Sequence, residues 1–140
     1  MHWETILIIL LVVHWLCDFT PASTPWMLAA KKNGWPIHPI FCHAATHALF
    51  TLFIFRVFTK AYYNCLFPLS ALPDSVFVSM VCASLFILFT HWFFDIVKGM
   101  VARFYPSTGD ISQKGFWVML GLDQLAHTLM LVIIASRMGK

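Results

Sequence analysis

Four apolar runs of this chain each carry two metal-ligand side chains at one spacing. His14 and Asp18, His43 and His47, His91 and Asp95, and Asp123 and His127 all lie four residues apart. At about 3.6 residues per helical turn, positions i and i+4 stack on one face. If the runs are helices, each presents its two ionisable groups in the same direction. Five imidazoles and three carboxylates are costly to place in an apolar interior unless they pair with one another or hold a metal. A fold for this chain has to bring the four faces together.

The runs themselves point to a membrane. The chain is 60% hydrophobic and 11% charged, with fourteen Phe and six Trp among its 140 residues; soluble domains carry roughly 25% charged residues. The length suits one domain, here a single transmembrane domain over 1–140. Spans are expected near 4–20, 39–59, 75–99 and 114–136. Backbone groups inside a bilayer must be satisfied within the segment, so these are expected to be helices. The first run is short, near the lower limit of about 17 residues for a crossing. It lacks a basic leader and contains His14 and Asp18, which marks it as a retained helix and not a cleaved signal. Between the first two runs, Thr24 is placed to cap a helix with Pro25 at its first position, and Gly34 to end it. That stretch reads as a short interfacial helix, with Trp26 and Trp35 at headgroup level and Lys31 and Lys32 toward water or phosphate. Pro36 to Pro39 reads as an extended connection, and 61–74 as a loop along the interface. The expected fold is therefore all-α: an up-down four-helix bundle in a membrane with one surface helix.

Topology and spacing agree. His14 and Asp18 lie toward the end of the first run, His43 and His47 near the start of the second, His91 and Asp95 toward the end of the third, and Asp123 and His127 in the first half of the fourth. Helices that alternate in direction place all four pairs in one layer of one leaflet. Inward carboxylates and imidazoles on facing helices are a known way to build a metal site. The candidate ligands are His14, Asp18, His43, His47, His91, Asp95, Asp123 and His127. They exceed the four of a closed zinc site, so they suit one or two divalent ions, or one ion with carboxylates orienting the imidazoles. Mixed imidazole and carboxylate ligands suit zinc, manganese, iron or nickel, with zinc placed first and manganese or iron next. A carboxylate not on the metal, Asp18 or Asp95, is the candidate catalytic base. Lys98, Lys31 and Arg103 are candidate contacts for a headgroup phosphate. Gln124 is expected in an interhelical hydrogen bond. His2 and His38 fit no pair and read as surface histidines; Asp74 and Asp110 read as caps or turn residues. The cysteines, Cys17, Cys42, Cys65 and Cys82, have no CxxC spacing and read as buried thiols with no structural disulfide.

The residues His14-Trp15-Leu16-Cys17-Asp18-Phe19, Trp26-Met27, His43 with His47, His91 to Asp95 with Lys98, and Asp123-Gln124-Leu125-Ala126-His127 resemble a family of small bacterial and phage membrane proteins of unknown function. More distantly, the pattern is similar to bacterial inner-membrane proteins described as membrane-bound metal-dependent hydrolases. The resemblance covers nearly the whole chain and implies an inner-membrane location. The turn after Asp18, Phe19-Thr20-Pro21-Ala22-Ser23-Thr24-Pro25, departs from the more polar, Gln-containing turn usual there.

The leading expectation is a membrane-embedded metal-dependent hydrolase acting on a lipid-linked or amphiphilic substrate. Other classes are a metal or proton carrier, a haem or diiron redox bundle, and a non-enzymatic phage or prophage protein whose polar cluster is structural. Its partners are the bilayer and an amphiphile. The net charge of +3 gives no nucleic-acid footprint, and self-association is open. Lys31, Lys32, Lys98, Arg103 and Lys114 lie on the site side against Arg56, Lys60, Arg137 and Lys140, which favours a cytoplasmic site.

Overall fold

Each long helix buries one continuous stripe, apolar toward one end and ionisable toward the other. On α1 (Trp3–Phe19) the stripe is Ile6, Ile9, Leu10 and Val13, continued by His14 and Cys17. On α4 (Asp74–Phe104) it is Met80, Ala83, Ser84 and Ile87, continued by His91, Asp95 and Gly99. α5 (Lys114–Met138) begins with Asp123 and His127 and goes on to Met130, Leu131, Ile134 and Ala135. α3 (Ile37–Leu66) likewise starts with Ile40, His43, Ala44 and His47 and reaches Thr51 and Phe55. The i, i+3, i+4, i+7 recurrence is what lets one face of a helix enter a core.

The computed structural model describes residues 2–66 and 73–139, and among them the regular elements are five α-helices and one 3-10 turn, Pro106–Thr108. α1 packs on α3 and α5, and α4 packs on α3 and α5. The apolar ends meet in one cluster that joins Ile6 to Val13, Phe55, Met80 to Ile87 and Leu131 to Ala135. The early half of α1 thus lies beside the late half of α5, so neighbouring helices run in opposite directions and the ionisable ends gather at the other pole. The outward faces are apolar as well: Leu49, Phe53, Phe89, Phe93, Leu125 and Leu129 are all exposed. Exposed apolar area on this scale suits a lipid surrounding.

α3, α4 and α5 are long and apolar enough to cross a membrane. This is a membrane protein by that measure, with three candidate crossings where the sequence suggests four. α1 has 17 residues, about 25 Å of helix against a hydrocarbon core of about 30 Å. The other boundaries also move outward. α3 begins at Ile37, not after an extended 36–39 connection, because Pro39 falls in its first turn, where a missing amide proton costs nothing. It runs through Leu66, well past 59. The expected loop over 61–74 therefore starts as helix; residues 67–72 lie outside the described set. α4 continues through Gly99 to Phe104.

α2 (Pro25–Asn33) is the short helix between the first two runs. Thr24 accepts a hydrogen bond from the Met27 amide at 3.4 Å, Pro25 opens the helix, and Gly34 ends it at φ 64°. Only glycine holds that left-handed conformation without strain. α2 lies against α3 and α4. Its end meets α4 at Gly99, where an added Cβ would overlap the Gly34 backbone, and Arg103 Nε donates to the Asn33 carbonyl at 2.5 Å.

Gly99→Ala is expected to force α2 off α4. Overpacking of this kind costs about 1–3 kcal/mol. A lower Tm together with faster proteolysis in 25–34 checks it; an unchanged Tm would show that the contact has slack.

Candidate functional site

The convergence at the ionisable pole produces two layers, one helical turn apart. His14, His47, His91 and His127 form the inner layer. Their ring centroids are 3.9 Å apart for His47–His91, 4.1 Å for His91–His127, and 5.1, 5.5 and 5.2 Å from His14 to His47, His91 and His127. Asp18, His43, Asp95 and Asp123 form the outer layer. All eight sequence-selected residues thus share one cluster, seven of them buried and Asp18 nearly so.

Two subsets are compact enough to hold an ion. Asp18, His43, His47 and His91 each offer a ligand atom within 4.8 Å of the others, and so do His91, Asp95 and His127. A metal ion could be held by either. His14 and Asp123 belong to neither subset. His14 Nε2 turns to Asp18 Oδ2 at 3.4 Å and to Gln124 Oε1 at 3.4 Å, while Asp123 Oδ2 accepts from Lys98 Nζ at 2.6 Å.

Hydrogen bonds fix the imidazole tautomers. His127 Nδ1 lies 2.8 Å from the Asp123 carbonyl, which can only accept, so Nδ1 carries the proton. The neutral ring then presents a lone pair at Nε2, and that atom is buried without a hydrogen-bond partner among the described residues. Ser23 does the same for His43. The Ser23 hydroxyl donates to the Cys17 carbonyl at 2.6 Å, which leaves its oxygen to accept from His43 Nδ1 at 3.1 Å. His43 Nε2 then faces Asp18 Oδ1 at 3.0 Å and His47 Nε2 at 3.3 Å. Several electron-pair donors this close need a cation or a proton between them. Among the described residues His91 Nε2 and both Asp95 oxygens also lack hydrogen bonds, although Asp95 Oδ2 is 3.4 Å from His91 Nε2.

One cation at this point comes from α2. Lys31, which the sequence places toward water or phosphate, is 7% exposed. Its Nζ donates to Asp18 Oδ1 at 3.0 Å and His43 Nε2 at 2.8 Å, and lies 3.3 Å from Asp95 Oδ1. α2 folds back over the helix ends, so its inner face meets two carboxylates and an imidazole instead of solvent. Burial alone would depress the Lys31 pKa, but Asp95 and Asp18 outweigh it and hold the ammonium above its usual range. Arg103, the third expected phosphate contact, is engaged with the Asn33 carbonyl.

Above the outer layer lies a cavity of about 560 Å³ between α1, α2, α4 and α5. Asp18, Lys31, Lys98 and Gln124 contribute its polar wall, and Phe19 and Leu120 part of its apolar one. Gln124 Nε2 donates to Asp18 Oδ2 at 3.3 Å, the interhelical role expected for it. Below the inner layer is a void of about 10 Å³ beside Thr51 and the four imidazoles, near the size of one water. Asp110 forms a turn, accepting from the Ser112 amide at 3.0 Å and hydroxyl at 2.8 Å; those bonds hold its carboxyl below the usual range. His38 is exposed. Cys17, Cys42 and Cys82 are free thiols, and the side chain of Cys65 lies outside the described set.

Residues 6–140 match the model of a family described as proteins of unknown function, DUF3307. The chain belongs to that family. No curated protein and no solved structure matches it. The family carries no assigned activity, so function has to be read from the cluster.

Lys31→Met removes an ammonium and leaves Asp18 and Asp95 underneutralised. Breaking one side of a buried pair costs about 3–5 kcal/mol, and the Tm measured in the presence of a chelator is expected to fall accordingly. Ser23→Ala is expected to cost about 1–3 kcal/mol by leaving the His43 Nδ1 proton without an acceptor.

Proposed function

We propose that this chain is a metal-dependent hydrolase of a bacterial inner membrane, acting on a lipid-linked or amphiphilic substrate, with zinc the first candidate for the ion. The observation that carries the reading is a juxtaposition. Four ligand atoms from Asp18, His43, His47 and His91 gather within 4.8 Å, and one of those residues, Asp18, also lines the large apolar cavity. A substrate in the cavity would meet the cluster at Asp18. In this reading α1 is the fourth wall of an up-down bundle and crosses a locally thin bilayer, the site faces the cytoplasm, and α2 lies in the headgroup region.

A divalent ion in such a site supplies Lewis acidity and a water-derived nucleophile at neutral pH. The chain supplies the rest. Ser23 and the Asp123 carbonyl hold His43 and His127 with Nε2 free to ligate. Asp18 Oδ1 faces the imidazoles, while Oδ2 is held by Gln124 and lies toward His14. Where the ion is held by His91, Asp95 and His127, Asp18 is left off the metal and lines the cavity, which makes it the better-placed of the two candidate bases; Asp95 is fully buried and does not line the cavity. Lys31 and Lys98 would offset negative charge that develops on the substrate.

A second reading, a structural polar network with no metal, is favoured by one observation: Lys31 already supplies a cation among the outer-layer ligands. Metal content separates the two. Protein purified without chelator is expected to hold about one or two ions per chain, to lose them in His91→Ala, and to keep them in Asp123→Asn. With the ion bound, Asp18→Ala should reduce turnover of an amphiphilic ester by about 10²-fold or more. The Lys31→Met loss of Tm should be partly restored by added metal. Metal-free wild type would overturn the hydrolase reading in favour of the structural network.

A further inference from the structure

Building on the hydrolase reading, we infer that the amphiphile taken into the large cavity carries a phosphate group, held between Lys98 and Lys32. Three lysines line this cavity, Lys31, Lys32 and Lys98, against two carboxylates, Asp18 and Asp110. They are not equivalent. An ammonium has three N–H donors. Lys31 is buried and turned into the cluster, donating to Asp18 and His43 at 3.0 and 2.8 Å with Asp95 Oδ1 at ion-pair distance, 3.3 Å, so its ammonium is committed there and not to a ligand in the cavity. Lys98 spends one donor on Asp123 Oδ2 at 2.6 Å, and Asp95 Oδ1 at 3.9 Å is beyond hydrogen-bond distance. Two donors remain, and the side chain is 21% exposed. Lys32 is exposed and makes no ion pair among the described residues.

Two separated ammoniums act as point charges and do not form the planar fork that arginine offers a carboxylate. A phosphate has enough oxygens, and enough charge, to engage both at once. The remainder of the lining fixes the rest of the ligand. Phe19, Leu28, Phe116, Met119 and Leu120 form an apolar wall suited to an acyl or prenyl chain, and about 560 Å³ lies within the usual range for pockets that enclose a ligand of this size, about 300–1,000 Å³. Asp110 stands on the same lining, and Lys32 contributes to holding it ionised. It opposes an anion there.

The test is binding, measured apart from turnover. Detergent-purified protein, with and without chelator, is titrated with dihexanoyl phosphatidate, dihexanoylglycerol, decanoate and inorganic phosphate. Phosphatidate is expected to bind about tenfold or more tighter than the other three, and to bind the chelated protein as well. Lys32→Gln should weaken phosphatidate about tenfold with the metal content unchanged. Asp110→Asn keeps the turn acceptor and removes the opposing charge, so it should tighten binding severalfold. Equal affinity for dihexanoylglycerol or decanoate overturns the proposal, as does inorganic phosphate binding as tightly as the lipid, or no response in both variants. Hydrolysis of an uncharged amphiphile without phosphate preference would sink this inference and leave the hydrolase standing. Phosphatidate binding by a metal-free, inactive wild type would do the reverse.

Discussion

Three carboxylates withdrawn from water set the terms for this molecule. Asp18, Asp95 and Asp123 sit on three different helices that otherwise bury hydrocarbon, and an uncompensated charge there would cost more than a small domain can supply. Every unusual placement near that pole answers to this. Lys31 is drawn under α2 and Lys98 across to α5, and each pairs with a carboxylate of another helix. Gln124 bridges α5 to α1. Five imidazoles pack ring against ring, an arrangement in which neutral rings with oriented lone pairs are tolerable and a set of imidazolium ions would not be.

The apolar half of the bundle gives that pole its geometry. Because the ligand positions continue the same i, i+3, i+4 stripe as Ile6 to Val13 and Met80 to Ile87, the packing of the dry half fixes helix rotation and therefore where each imidazole points. The stripe was legible in the sequence, since spacing and alternation together specify face and depth. So was α2, from Thr24, Pro25 and Gly34. What periodicity could not convey was tertiary. The fold-back of α2 depends on Gly34 meeting Gly99, residues far apart in sequence, whose shared property is the lack of a side chain. Without that contact Lys31 and Lys32 look alike; with it, one is buried among carboxylates and the other faces the cavity. Ser23 reads as an ordinary turn residue until its hydroxyl is seen between Cys17 and His43. The start of α3 is hidden in the sequence for a local reason, because proline near a run reads as a break unless it falls in a first turn.

α2 also breaks the near-symmetry of four stacked pairs. Four helices alone would surround the outer layer evenly. With α2 packed on α3 and α4, that side is covered, and the large cavity lies toward α1, α5 and the turn at Thr108 to Ile111. Asp18 is therefore reached from the side of this cavity, whose wall joins Lys31 and Lys98 to Phe19 and Leu120.

Depth bears on the choice between chemistry and transport. A carrier needs polar groups that hand an ion from one face to the other. Beneath the imidazole layer the buried polar side chains among the described residues are Thr51 and Ser84, and the next positions inward are Phe55, Met80, Ile134 and Ala135, all buried in the apolar cluster. The void beside Thr51 holds about 10 Å³, room for roughly one water. A cation leaving the cluster in that direction would have to shed its ligands into hydrocarbon, at a cost of several kcal/mol. The opposite direction leads from Asp18 straight into the lysine-lined cavity. Among the described residues the cluster meets apolar packing on one side and opens into the lysine-lined cavity on the other, an asymmetry that bears against passage of an ion through the bundle.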